Sequence, residues 1–468
     1  MQIKNSLLVL IFLAVNVTAR ANVKIFGSDT TYANEKIILL KQQDGITKHE
    51  IVIDTIFVNG DGSFNVEFES NSTFPLIMYL GVYKAVLYTE PGMEYDLVLP
   101  PRKDKTTADV LNPYFKYEEV RLAIKNFDDK ELNTQIQMFE DAFIPYVNTH
   151  VDKVFKSDDF FRLDEEIESL EKKYRRSDNV FFNNYRKYRY GYLRFLALQH
   201  KSQQIAIDYY KNQPILWNNP AYWALFEKLF NGYFMHVVSN ESGKKLGTYI
   251  KSVALDSIRY SIDKAGLGND IEFQDLVILY NLSQEFYDDN FSRNHLLEVL
   301  KVMKLGSATS RTTTVANQMY NKVTQLLAGY EPPKWELYDS DSNLVQLSDY
   351  SGKHVYLNFC MCYSYSCLNE FVQLQKLYEK HKQYLEVVTI IADDDVQIMK
   401  SFLQRSGYSW TFLHYGNTPS VITDYDIRAF PTYYLIDTEG KMVMSPAPTP
   451  NEQFEGRLFK VLRAAGVL

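Results

Sequence analysis

The spacing of apolar residues changes twice along the chain. From Val23 to about Pro101, short runs alternate apolar and polar positions, the two-residue period of half-buried strands: residues 36–40, 50–53, 64–68, 85–88 and 95–99. Turn signals fall at Asn59-Gly60-Asp61-Gly62 and Pro91-Gly92, so residues 22–102 predict a small antiparallel β-sandwich. Between Lys103 and Tyr330 breakers become rare and the period lengthens. Tyr185, Tyr188, Tyr192 and Phe195 share one helix face, with Arg186, Lys187 and Arg189 expected elsewhere, and residues 103–330 predict an all-α domain. After Glu331-Pro332-Pro333 strands and helices alternate. A hairpin near residues 337–347 precedes a buried strand at 354–360, a helix carrying Phe371, Leu374 and Tyr378, and a strand at 385–392. A helix at 396–405, a strand at 430–436, a strand at 442–444 and a last helix from about Asn451 complete a C-terminal α/β domain over residues 331–468. The expected architecture is multidomain.

The first residues follow a different logic. Lys4 precedes a nine-residue apolar run, Leu7 to Val15, and then Ala19-Arg20-Ala21, which reads as an export signal over residues 1–21. Nine apolar residues fall far short of the roughly 20 that span a bilayer. The expectation is an exported protein of the periplasm or cell envelope, with no membrane span after cleavage. Among 468 residues, 50 Lys and Arg stand against 58 Asp and Glu, a net charge of -8 that argues against nucleic acid as a partner. His150, His200, His236 and His295 stand alone, without the spacing of a metal site. No glycine-rich phosphate loop lies between a strand and a helix, so neither a metal nor an organic cofactor is expected. What remains is sulfur: the 3 cysteines, Cys360, Cys362 and Cys367, all lie within one short segment.

The stretches LSDYSGKHVYLNF, NFCMCYSYSCLNE and FPTYYLID, the last followed by a glycine turn, resemble the thioredoxin fold in its exported TlpA and ResA branch, from Pro332 to the end of the chain. In that branch a cysteine opening the helix attacks disulfides and a second, three residues on, resolves the mixed disulfide. Carried onto this sequence, the attacking position is Ser364, the resolving position Cys367 and the preceding tryptophan Tyr363. The resemblance further implies that Glu370 assists proton movement and that Pro431 is a cis-proline. With Phe430, Tyr363 and Tyr365, Pro431 would line a substrate groove. The proline expected after Glu370 is Val372 here.

A serine hydroxyl is barely ionised at neutral pH and forms no disulfide, so two-cysteine exchange through positions 364 and 367 is excluded. The reading is an atypical thiol-disulfide oxidoreductase using Cys367, with Cys362 as candidate partner and Cys360 as a small core residue. Its partners would be exported protein thiols or disulfides and an external electron donor. Three alternatives stay open: a redox-inactive interaction module, a peroxiredoxin-like peroxidase built on Ser364 and Cys367 with Arg428, and a copper(I) carrier using Cys362, Cys367 and His414.

Overall fold

The computed structural model describes residues 21–468 apart from 113, 127, 157–159, 175–176, 240–243, 417 and 419, so all of the expected export signal except Ala21 lies outside the described residues. The chain divides into two compact units. One takes in residues up to Lys103 with Glu118–Tyr209 and Pro214–Leu229; the other takes in Asp104–Tyr117, Tyr210–Gln213 and Phe230–Leu468. The helical middle of the sequence is thus shared between them.

The first unit holds two facing sheets. One has the order Ser63–Ser70, Ala21–Ser28, Glu94–Val98, Ala123–Ile124; the other runs Glu50–Phe57, Lys36–Gln42, Phe74–Leu80, Tyr83–Thr89, Glu118–Arg121. Pairing is mostly antiparallel, but Ala21–Ser28 lies parallel to Glu94–Val98 and Tyr83–Thr89 parallel to Glu118–Arg121. Inward residues such as Val23, Ile25, Leu39, Leu76, Leu87 and Leu97 form the core. The strand Phe74–Leu80 escapes a two-residue period because most of its residues are buried on both faces.

Against these sheets packs the aromatic helix Val180–Ala197, with Tyr185 and Tyr188 buried and Tyr192 and Phe195 half-buried. Arg186 and Arg189 are drawn inward rather than to the opposite face. Carboxylates account for this: Arg186 pairs with Glu171 at 2.9 Å, and Arg189 with the buried Glu140 at 2.7 Å. Glu140 also accepts from the Tyr185 hydroxyl at 2.7 Å, so its charge is fully met.

In the second unit, helices Ile271–Glu285, Arg293–Leu305 and Ser310–Thr324 precede a seven-stranded mixed sheet. Its order is Leu344–Gln346, Glu336–Asp339, Thr411–His414, Leu385–Ile391, His354–Cys360, Thr432–Ile436, Met442–Ala447. The central strand His354–Cys360 is buried at all seven residues, parallel to Leu385–Ile391 on one side and antiparallel to Thr432–Ile436 on the other. Its alternate side chains feed two apolar layers, one around Tyr356, Cys360 and Phe371 and one around Leu357, Phe359 and Tyr425. The helix Tyr365–His381 connects the two parallel strands, and Val396–Ser406 leads into Thr411–His414. That four-residue strand and the short helix Ser420–Asp424 are additions to the expected element order. Among the described residues, no helix is long and apolar enough to cross a membrane.

Candidate active site

The site forms where the central strand ends. Cys360 is its last residue, Met361 to Ser364 make the turn, and the helix begins at Tyr365. Ser364 is the residue capping that helix, with extended φ of -73° and ψ of 120°, yet its side chain does not cap the backbone. The Met361 N–H donates to Cys367 Sγ, in the first helical turn, at 3.4 Å. The Ser364 hydroxyl and the Cys360 thiol also act on that sulfur electrostatically.

These neighbours favour the ionised form of Cys367. The Cys360 thiol, then the Met361 N–H and the Ser364 hydroxyl, hold the Cys367 pKa below the ordinary thiol value, against the opposing effects of burial and of Asp393. The helix N-terminus acts in the same sense. Cys360 behaves oppositely: burial, and its role as donor to Cys367, push its pKa well up. Cys362 is also pushed up, by burial and by the Asp393 charge. The three thiols are free, and only Cys367 is biased toward the nucleophilic state.

The Cys362 backbone N–H donates to Asp393 Oδ2 at 2.6 Å, and its thiol also meets that carboxylate. Glu370 Oε1 accepts from Asn451 Nδ2 at 3.0 Å, while Oε2 is buried with no hydrogen-bond partner among the described residues. Tyr363 and Tyr365 are 68% and 79% exposed, and with Leu368 and Val372 they leave an apolar strip on the outer side of the turn and helix. The Phe430–Pro431 peptide is cis, and both residues are half-buried just before the strand Thr432–Ile436. Cys360 and Cys367 have no accessible surface.

Two residues set aside for other chemistries are otherwise engaged. The His414 Nε2 contacts the Asp393 carbonyl at 2.8 Å and Nδ1 accepts from the Gly416 N–H at 3.0 Å, which leaves neither ring nitrogen free for copper. Arg428 is an exposed side chain paired with Asp426 at 2.9 Å. Sequence reasoning missed Asp393, which carries no local signal beyond the acidic run 393–395, and it missed the influence of Cys360 on Cys367.

A family model described as Redoxin matches residues 327–456. The chain is 30% identical over 135 residues to the thiol-disulfide oxidoreductase ResA of Bacillus anthracis, covering 28% of this chain and 78% of that protein. It is 27% identical over 140 residues to ResA of Bacillus subtilis (strain 168), covering 30% of this chain and 78% of that one. A solved thiol:disulfide interchange protein from Bacteroides sp. is 23% identical, with a TM-score of 0.27, over 30% of this chain and 91% of that chain.

Proposed function

Because the chain belongs, through its C-terminal domain, to the redoxin family of ResA-type thiol-disulfide oxidoreductases, we propose that it is an envelope protein exchanging electrons between thiols and disulfides at Cys367. The observation that carries this reading is the Met361 N–H donating to the Cys367 sulfur at 3.4 Å in the first turn of the helix, with the pKa of that thiol lowered by Cys360, Met361 and Ser364. The Cys367 thiolate attacks one sulfur of a client disulfide, forming a mixed disulfide and expelling the other sulfur as a thiolate. Ser364 contributes a hydrogen bond and no bond-making. Glu370, with its unpartnered carboxylate oxygen, is the proton-handling group. Tyr363, Tyr365, Phe430 and Pro431 form the groove for the client chain, and an external thiol donor returns the site to its reduced state. The segments 22–102 and 103–330, the latter divided between the two compact units, serve in interaction, and the redox chemistry belongs to 331–468.

Reduction of insulin by the intact chain, with a thiol reductant present, tests this. The wild type is expected to exceed background, and Cys367→Ala to fall to it. A second reading, a redox-inactive interaction module, draws support from the absence of accessible surface at Cys367 beside the exposed aromatic strip. Equal background rates in both proteins select that reading.

A further inference from the structure

Cys367 needs a second sulfur to release a client, and two cysteines are near it. Sequence spacing favours Cys362, but the local geometry separates the two. Cys362 is turned to Asp393 through both its backbone N–H and its thiol. Cys360 interacts with Cys367 instead, which raises its own pKa and lowers that of Cys367. The chain leaving Cys360 also approaches the same sulfur, through the Met361 N–H at 3.4 Å. Ordinary backbone lengths then put Cys367 Sγ within about 6 Å of Cys360 Cα. All three cysteines sit in one apolar layer with Tyr433, whose buried hydroxyl has no hydrogen-bond partner among the described residues, so it is the backbone at Cys360 and Met361, brought up to the Cys367 sulfur, that distinguishes Cys360 from Cys362.

We infer that the resolving sulfur is Cys360, so that the oxidised site carries a Cys360–Cys367 disulfide, formed between the end of the central strand and the first turn of the helix. This rests on the redox reading of Cys367. The reaction balances as follows. The Cys367 thiolate attacks a disulfide, a mixed disulfide forms and one thiolate leaves. Cys360 gives its proton to that thiolate and attacks the Cys367 sulfur, so the S–S bond to the client breaks as the Cys360–Cys367 bond forms. The second client sulfur leaves as a thiolate and takes a proton from solvent. Two electrons pass from the protein pair to the client disulfide. Neither protein sulfur has accessible surface, so the turn from Met361 to Ser364 must yield to admit a reactant, and small disulfides are favoured over folded ones.

The test uses the intact protein and glutathione disulfide as probe, with acid quenching, alkylation of free thiols under denaturing conditions and mass mapping. Wild type and Cys362→Ala are expected to lose two alkylation sites together, at positions 360 and 367. Cys360→Ala is expected to retain alkylation at Cys362 and to leave Cys367 in a glutathione mixed disulfide. Cys360→Ser, compared with Cys360→Ala by circular dichroism, guards against a folding artefact. A Cys362–Cys367 linkage in the wild type, or an internal disulfide surviving in Cys360→Ala, overturns the assignment. Insulin reduction dependent on Cys367 with Cys360 fully alkylated would also overturn it while leaving the redox reading intact. Background insulin reduction with the Cys360–Cys367 disulfide present would support the pair and reject the client reaction.

Discussion

At the scale of single residues, the proposed chemistry turns on Ser364 and Cys367. Ser364 stands at the partly exposed helix entrance, where the resemblance to the ResA branch implies an attacking cysteine, and Cys367 lies one turn further in, without accessible surface. A hydroxyl there stabilises a neighbouring thiolate but makes no mixed disulfide. Restoring the missing atom is therefore informative: Ser364→Cys is expected to raise the insulin-reduction rate roughly tenfold or more, because a thiol at a helix N-terminus ionises readily. A rate no higher than that of the wild type would mean that access to the turn, rather than the absent sulfur, limits the site. The strand that ends at Cys360 and the helix that follows from Tyr365 were legible in the sequence because their apolar positions are regular. Which thiol partners Cys367 was not, since spacing in sequence says nothing about which way each thiol turns.

At the scale of elements, the turn between strand and helix is held from the side by the segment that follows the neighbouring strand Leu385–Ile391. The carboxylate of Asp393 accepts from the Cys362 N–H at 2.6 Å, and the Ala392 N–H donates to the Cys360 carbonyl at 2.9 Å. Asp393 is buried, so Asp393→Ala leaves a buried N–H without its acceptor, a loss of about 1–3 kcal/mol. Denaturant unfolding of the variant is expected to show that loss, together with faster alkylation of Cys362 in the folded protein. An unchanged alkylation rate would show that the carboxylate does not hold the turn. Elements with a clean period were readable in advance: the strands at 36–40 and 64–68, the tyrosine-bearing helix, and the buried run ending at Cys360. Phe74–Leu80 was missed because burial on both faces removes the alternation, and Thr411–His414 because four residues are too few to show a period.

At the scale of the whole molecule, hydrophobic period identifies the class of each region but not how regions group. The helical middle looks uniform in sequence, yet Pro214–Leu229 belongs with the sheets of the first unit and Phe230 onward with the second. Long-range contacts decide this, such as Asn218 Nδ2 donating to the Thr73 carbonyl at 3.0 Å and the pairing of Lys48 with Glu227 at 2.7 Å. No local pattern encodes them. The proposed chemistry depends on far fewer atoms: Cys367 should ionise before Cys360 and Cys362, and the far-ultraviolet absorbance of thiolate tests this without requiring a reagent to reach the sulfur. Titrated in the intact, reduced protein, the wild type is expected to gain one thiolate at a pH below that of an ordinary thiol, about 8.5. That step should vanish in Cys367→Ala and move upward in Ser364→Ala and Cys360→Ala. A wild-type curve with no ionisation below the ordinary thiol range, or one unchanged by Cys367→Ala, would overturn the role proposed for Cys367.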